Sequence, residues 1–538
     1  MITTSDKYDS FPLRKGAPQR RRKGTLGGYT GTDNIWRRNR RTLMFLFAIF
    51  AVLYGFAFTL FSTFFLLQLA IPLVVLALFV IWLLPDSGRA PTKLLYQLML
   101  AFIIALLCWP DYIALAFPGL PWMTMVRLTG IPMAFILLIS LSASSRVRHD
   151  LMESLNGIPI LWKLMLIFTA IATISVVFSN DKTLSISKLT IALLYWVSIF
   201  FASAYVFRSP GRVIRLSYLL WGIAVLVCLN GIWEARIQAL PWAGHLPSFL
   251  QVEDEAVQRI MTPHARAVSG IYRVQSKFTT PLGMAEFLAL SMPFILHLMM
   301  TARNTALRLV TALTIPLVLY AIVLTDSRLG VVGFLMAFMI YLLYWSARRW
   351  RERKDSIVAP ATVLGYPLIF ALFIMATFVV GRLRIMVWGG GAAQFSTNAR
   401  QEQLDMGLPM IMSHPWGYGI GMGAGTLGYV SPGGVVTIDT YFLAVALEYG
   451  VVGFMVYYAM FVAAIYHGGK ALLTTQDREI LYLAPLVISA INFVIIKSIF
   501  SQQENHPLIF IVLGAITALT MRANLNSENK SPPTSALA

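Results

Sequence analysis

The sequence predicts an all-α polytopic membrane protein, a transmembrane helical bundle of about fourteen helices with two large loops on one face. Three observations predict it. Of its 538 residues, 57% are hydrophobic and 12% charged, where a soluble globular chain is about half apolar and a quarter charged. The apolar residues arrive in long runs, such as Leu43 to Leu84 and Leu368 to Val380, rather than at amphipathic spacing. The loops between the runs are alternately rich in Lys and Arg and poor in them, the pattern that fixes the orientation of a membrane protein.

The first 42 residues hold eleven Lys or Arg against three acids, Asp6, Asp9 and Asp33. No apolar core precedes Leu43, so this stretch reads as a basic cytoplasmic tail and not as a cleaved signal peptide. Within it, Arg20-Arg21-Arg22-Lys23 reads as positive-inside charge rather than as a site for anionic lipid or nucleic acid. The membrane domain runs over 43–521. Helices are expected at 43–62, 65–84, 94–109, 124–143, 160–178, 186–206, 214–233, 282–300, 309–325, 330–346, 359–380, 441–465, 480–498 and 507–521. The first two divide a run twice the length of one span, near Ser62-Thr63.

Basic residues then fall on alternate loops: Arg89 and Lys93; Arg146 and Arg148; Arg208, Arg212 and Arg215; Arg303 and Arg308. The series continues with the run from Arg348 to Lys354, then Lys470 and Arg478, then Arg522. These loops and both termini are expected in the cytoplasm. The net charge of +19 is thereby a topology signal, not a nucleic-acid signature. Residues 522–538, rich in Ser, Asn and Pro, read as a cytoplasmic disordered tail. Cys108 and Cys228 both fall inside apolar runs, which leaves neither a disulfide framework nor a zinc site.

The opposite face carries the two long loops, 234–281 and 381–440, where soluble-phase chemistry can be built. Cations on that face run against the topology rule. Arg273 precedes the helix at 282, Arg328 follows the helix ending near Thr325, and Arg400 lies in the second loop. An Arg fork binds phosphate oxygens bidentately and keeps its charge, so three at one mouth suit an anionic ligand. Each alone has the ordinary alternatives of snorkelling to headgroups or pairing with Asp326, Glu402 or Asp405.

Asp439 stands where the second loop re-enters the membrane, placed to act as a general base or to cap the helix that starts near Tyr441. Glu286, just inside a helix, calls for a partner such as Lys277 or Arg273, or for a polar cavity. His414-Pro415 leads into the ladder Gly417, Gly419, Gly421, Gly423 and Gly425. The ladder lacks the Gly-Lys-Ser/Thr ending of a phosphate-binding loop, and its glycines suit a sharp turn or close approach to a substrate. No metal or cofactor site is expected from the spacing of His, Cys, Asp and Glu.

Four elements then fall in a recognisable order. Tyr272-Arg273 to Phe278 with Thr280-Pro281 resembles the "R-x-x-G-x-F-x-x-P-N" entry of the O-antigen ligase/polymerase family. Leu324-Thr325-Asp326-Ser327-Arg328-Leu329-Gly330 is similar to its "L-T-x-S-R-G" element. Arg400, with His414-Pro415 through Gly421, resembles its "R…H-P-x-x-G-x-G-x-G" stretch. Asp439-Thr440, followed after nine residues by Gly450-Val451-Val452-Gly453, is similar to its "H-N-x9-G-x-x-G" close. The chain departs in having Asp439 for His, Thr440 for Asn, Leu282 for the Asn after Pro281, and Lys277 for Gly.

The resemblance implies an inverting, metal-independent membrane glycosyltransferase acting on the periplasmic face, with a polyprenyl-pyrophosphate-linked oligosaccharide as donor. Arg273 and Arg328 would grip the pyrophosphate and Asp439 would serve the acceptor. Arg400, Lys277, His414, Glu286, Asp326, Gly419 and Gly421 complete the expected site. A polymerase passes the growing chain to another lipid-linked repeat unit of O-antigen or exopolysaccharide, whereas a ligase passes it to lipid A–core. The loss of the ligase His points to the polymerase. Membrane lipid, a chain-length regulator and a flippase of the same pathway are the expected partners, and nucleic acid is not. A lipid-linked oligosaccharide flippase is the rival from another class, but transporters place ionisable residues near the membrane midplane, and here the notable residues gather at one face.

Overall fold

The computed structural model describes residues 76–79, 81–82, 90–115, 122–252, 254–262, 270, 272–353, 355, 357–379, 381–388, 394–431, 434–498, 501 and 503–528. The chain divides into two compact units, Met1–Ser87 and Gly88–Ala538. In the first unit the described residues, 76–79 and 81–82, are helical. The basic tail 1–42, the helix expected at 43–62, most of that at 65–84, and residues 529–538 lie outside the described residues.

The second unit is all-α. Its helices are α1 (Thr92–Cys108), α2 (Met125–Ala143), α3 (Ser145–Leu155), α4 (Pro159–Phe178), α5 (Lys182–Val206) and α6 (Arg212–Ile237). They continue with α7 (Glu255–Met261), α8 (Pro281–Thr301), α9 (Thr305–Leu324), α10 (Arg328–Glu352) and α11 (Val358–Val379). The last are α12 (Gly381–Trp388), α13 (Gln394–Ser413), α14 (Gly423–Leu427), α15 (Tyr441–Thr474), α16 (Leu483–Lys497) and α17 (His506–Glu528). Among the described residues 11 helices are long and apolar enough to cross a membrane, and α1 is apolar but shorter. The chain is a polytopic membrane protein. Each span expected between 94 and 521 coincides with an observed helix.

Local chemistry sets the boundaries. Thr280 caps α8 by accepting from the Gly283 amide (3.2 Å), with Pro281 at the first helical position. Ser327 caps α10 through the Gly330 amide, and Asp181 caps α5 through the Leu184 amide. Several features were not expected. The amphipathic α3 follows α2 with Val147, Leu151 and Leu155 buried, and Arg208 bridges its Asp150 and Glu153 at 2.7 and 3.0 Å. A π-helical turn, Leu193–Val197, interrupts α5. A two-residue antiparallel ribbon pairs Ala114–Leu115 with Met123–Thr124. The second long loop is largely built of α12, α13 and α14.

The centre of the unit is α8, α16 and α17, of which 89%, 83% and 83% are buried, whereas α11 is 6% buried. Inside an apolar medium, helices gain by close backbone approach and by polar side chains that bridge them. Gly333 of α10 lies against Ala289 and Ile496. Asn492 of α16 donates to the carbonyls of Ala289 (3.3 Å) and Gly333 (3.0 Å), tying three helices together. Ser489 bonds to the Leu290 carbonyl and Ser203 to the Ile511 carbonyl.

Glu286 sits in this centre, fully buried. Its partner is neither Lys277 nor Arg273 but Lys497, the last residue of α16, at 3.0 and 3.1 Å, and Asn505 donates to the same carboxylate at 3.2 Å. Removing one member of a buried ion pair strands the other charge, at about 3–5 kcal/mol. Lys497→Met is therefore expected to lower stability by about that amount in detergent unfolding. The double variant Glu286→Gln/Lys497→Met should recover most of the loss; equal stability of the single variant and the parent would show that the pair holds nothing together.

Candidate active site

Successive helices run in opposite directions, so the starts of α8, α10 and α15 share one end of the bundle with the two long loops. The site residues assemble at this loop end. The stretch Tyr272–Phe278 is folded around Glu234, near the end of α6. The Glu234 carboxylate accepts from the Tyr272 hydroxyl (2.8 Å), the Gln275 amide (3.0 Å) and the Ser276 amide (2.6 Å). Asn230, one turn earlier, donates to the Ser276 hydroxyl at 2.7 Å. Ser276 itself takes a left-handed conformation, φ 52°, which side chains other than glycine adopt only when their surroundings demand it.

This fold carries Arg273 to the turn that launches α10. The Val274 amide donates to the Leu324 carbonyl, and the Arg273 Nε donates to the Thr325 carbonyl at 2.9 Å. Asp326 then turns the chain through the left-handed region (φ 48°), and Ser327 caps the helix that Arg328 begins. A cation at the first position of a helix meets the positive end of the helix dipole. Arg328 and the α10 N-terminus thus add to one positive field, the arrangement that an anion completes.

Arg400, half-buried on α13, joins the same field. Burial lowers its affinity for a proton, Asp439 opposes that shift, and the Arg328 charge adds to it. Its Nε is buried without a hydrogen-bond partner. Burial likewise raises the Asp439 carboxyl above the ordinary carboxylate range, with Arg400 pulling it back down. Arg400 therefore feels both Asp439 and Arg328, although the three come from separate elements. Asp439 is not the helix cap: α15 begins at Tyr441, the N-cap is Thr440, and no side chain caps it. The Asp439 amide is held by Gln403 Oε1 at 2.8 Å.

The glycine ladder serves a different purpose. Helix α15 breaks at Gly450 (φ 70°, ψ −177°), which frees main-chain groups inside the protein. The segment after His414 bonds to them. The Tyr418 amide donates to the Leu447 carbonyl (2.8 Å), the Gly419 amide to the Glu448 carbonyl (3.1 Å), and the Val451 amide to the Pro415 carbonyl (2.9 Å). The chains pass so closely that a side chain at Gly450 would strike the Pro415 carbonyl, and one at Gly417 (φ 84°) would strike Glu448. The Gly421 and Gly423 amides face the buried Glu448 carboxylate. Ile420 is pinned from both sides, its amide by Ser175 of α4 and its carbonyl by Ser185 of α5. Gly419 and Gly421 lie against Ser179 and Lys188, so the structure places them in packing rather than beside Arg328 and Arg400.

Other expected members also stand apart from that group. Lys277 is buried, donates from Nζ to the Leu106 carbonyl at 2.7 Å and lies over the Phe278 ring. Glu286 is committed to Lys497. His414 is exposed and bonded to the Tyr418 hydroxyl (2.8 Å) and to Ser413 (3.0 Å). Sequence reasoning missed Glu234, Gln403 and Lys497. Of these only Lys497 carried a signal, as a cation closing an apolar run.

The geometry defines a helical membrane protein with a cation-rich site at one end and a carboxylate within that field. Residues 287–458 match the family described as O-antigen ligase, which supports an O-antigen ligase/polymerase-like family for this chain. The matched stretch holds Arg328, Arg400, Gln403 and Asp439 and starts after Arg273. No curated protein matches the chain.

Bonds to a charged acceptor contribute about 1.5–3 kcal/mol each. Glu234→Ala should therefore speed hydrogen exchange at the Gln275 and Ser276 amides at least about tenfold, measured by mass spectrometry in detergent. Unchanged exchange would mean that Glu234 does not hold the Arg273 segment.

Proposed function

We propose that the protein is a polymerase of O-antigen or exopolysaccharide repeat units. It transfers a polyprenyl-pyrophosphate-linked glycan to a sugar hydroxyl of another lipid-linked unit. The observation that carries the reading is the shared field of Arg328, Arg400 and Asp439 at the loop end, inside the stretch that matches the O-antigen ligase family. Basic loops at the opposite end support a site on the periplasmic face, with both termini in the cytoplasm, and the proposed function puts the chain in a bacterial inner membrane. A chain-length regulator and a flippase of the same pathway are its proposed partners.

Asp439 takes the proton of the acceptor hydroxyl as its oxygen attacks the anomeric carbon from the face opposite the pyrophosphate. The bond from that carbon to the pyrophosphate oxygen breaks, and its electron pair stays on the leaving group. Arg328 and Arg400, with Arg273 at the adjoining turn, stabilise that charge because they are positioned before it develops. The anomeric centre inverts. All of the charge neutralisation in this scheme comes from arginines.

The ligase is the second reading, favoured by the family's description. Asp439 in place of the family His weighs against it. The flippase reading gains little, since Glu286 lies in the second turn of α8 and Lys497 ends α16, so the buried pair sits toward the loop end rather than at midspan.

Cells lacking the protein should carry single repeat units on lipid A, or lose secreted polymer while lipid-linked single units accumulate, as read on glycan gels. Long chains stranded on the polyprenyl carrier with bare lipid A–core would establish the ligase instead. Units confined to the cytoplasmic leaflet would establish the flippase. In the same assay Arg328→Lys, which keeps charge but loses the fork, should cut polymer formation at least about tenfold; full activity would remove Arg328 from the pyrophosphate grip.

A base must be deprotonated, so the rate should rise with pH through an acid limb lying above the ordinary carboxylate range, as burial of Asp439 dictates. Arg400→Gln removes the group that holds the carboxyl down, and the limb should move to higher pH. Tyr429, which also interacts with Asp439, stays neutral over that range. Asp439→Asn with undiminished rate would exclude the base.

A further inference from the structure

Beside Asp439 lie two groups that the scheme above leaves idle. Gln403 follows Arg400 by three residues on α13, on nearly the same helix face, and is fully buried. Its Oε1 accepts the Asp439 amide at 2.8 Å. Because a main-chain N–H cannot donate to an NH2 group, that bond fixes which end of the carboxamide is oxygen. The Nε2, on the same carbon, is then a buried donor beside residue 439, and it has no partner. Thr440 is 2% exposed. It occupies the N-cap position of α15 yet makes no capping bond, and its Oγ1 is also buried without a partner. The Arg400 Nε is the third such atom.

Buried polar atoms in folded proteins are nearly always paired, and leaving one unpaired is destabilising. Three of them, on residues that bond to, adjoin or act electrostatically on Asp439, call for polar partners that a ligand can supply. The ligand's chemistry follows from the charges. Asp439 repels a phosphate on its own side, so the anionic part of the substrate belongs with Arg328. What suits Asp439, Gln403 and Thr440 together is a neutral polyol, because each hydroxyl both donates and accepts. One hydroxyl donates to Asp439. Its neighbour accepts from the Gln403 Nε2, and Thr440 serves either.

We infer that Gln403 and Thr440 form the subsite for vicinal hydroxyls of the acceptor sugar, with Gln403 selecting which hydroxyl faces Asp439. The assignment of that sugar as acceptor rests on the polymerase reading. Gln403 is a specificity-determining residue here, and Asp439 alone moves the proton.

The test uses the full chain in nanodiscs and two probes. The first is the host's repeat-unit oligosaccharide freed of lipid and pyrophosphate; the second is inorganic pyrophosphate. Equilibrium binding of each is measured for the parent, Thr440→Val and Gln403→Met. Thr440→Val keeps the β-branched shape and forfeits no hydrogen bond within the fold, so its melting temperature should equal or exceed that of the parent. Both variants should bind the oligosaccharide about tenfold more weakly, the effect of one lost hydrogen bond at the upper end of its range, with pyrophosphate binding unchanged. Unchanged oligosaccharide binding in the variants, equal weakening for both probes, or no oligosaccharide binding by the parent would each overturn the subsite. A parent that binds the oligosaccharide but does not elongate lipid-linked units would instead overturn the polymerase reading and leave the subsite standing.

Discussion

In an apolar surrounding, a main-chain group released from its helix has only other protein groups to bond with. The break of α15 at Gly450 creates several such groups, and the segment from Pro415 to Gly419 satisfies them. Much of the loop end depends on this splice. It fixes the direction in which the first turns of α15 emerge, and hence where Thr440 and Asp439 stand. Through Ile420 and its serines it also fastens α4 and α5 to the same point. A continuous helix would need none of these bonds, and the second loop would then be tied to α4 and α5 through Ile420 but not to the main chain of α15 at Leu447, Glu448 and Val451.

The cationic groups are held by a comparable economy of means. Arg273 reaches the turn before α10 by donating to a main-chain oxygen there, so the segment wrapped around Glu234 and the start of α10 locate one another. Arg328 stands at the positive end of its helix, and Arg400 is brought within range of it by α13. Asp439 is retained close to Arg400, and Asp326 lies two residues before Arg328 in the turn that launches α10.

The helices were legible because a membrane span is a local property. A run of about twenty apolar residues declares itself whatever its neighbours are. The set Arg273, Arg328 and Arg400 drew notice in the same way, because its place in the two long loops ran against the expected charge pattern. What escaped was whatever depends on a partner distant in the chain. Glu286 plainly needed a counter-charge, but Lys497 lies 211 residues away, and nearer cations offered themselves. The ladder from Gly417 announced close approach, yet not that the approach was to α15 rather than to a substrate. Gln403 and Glu234 are ordinary polar residues whose roles arise entirely from burial. The short α3 and the helices within the second loop lacked apolar runs and so left no mark.

Among the described residues the three most enclosed spans are α8, α16 and α17, and α16 and α17 follow the other described spans in the chain. A ribosome therefore delivers most of the spans before their common centre exists. Until α16 and α17 enter the bilayer, the small-residue face of α10, the carboxylate of Glu286 and the inner face of α5 lack their neighbours. Biogenesis must then pass through an incompletely assembled species in which an acidic side chain awaits its lysine. Such an intermediate is a natural client for insertases and quality-control proteases, and a stop codon even shortly before α16 would condemn every helix already inserted.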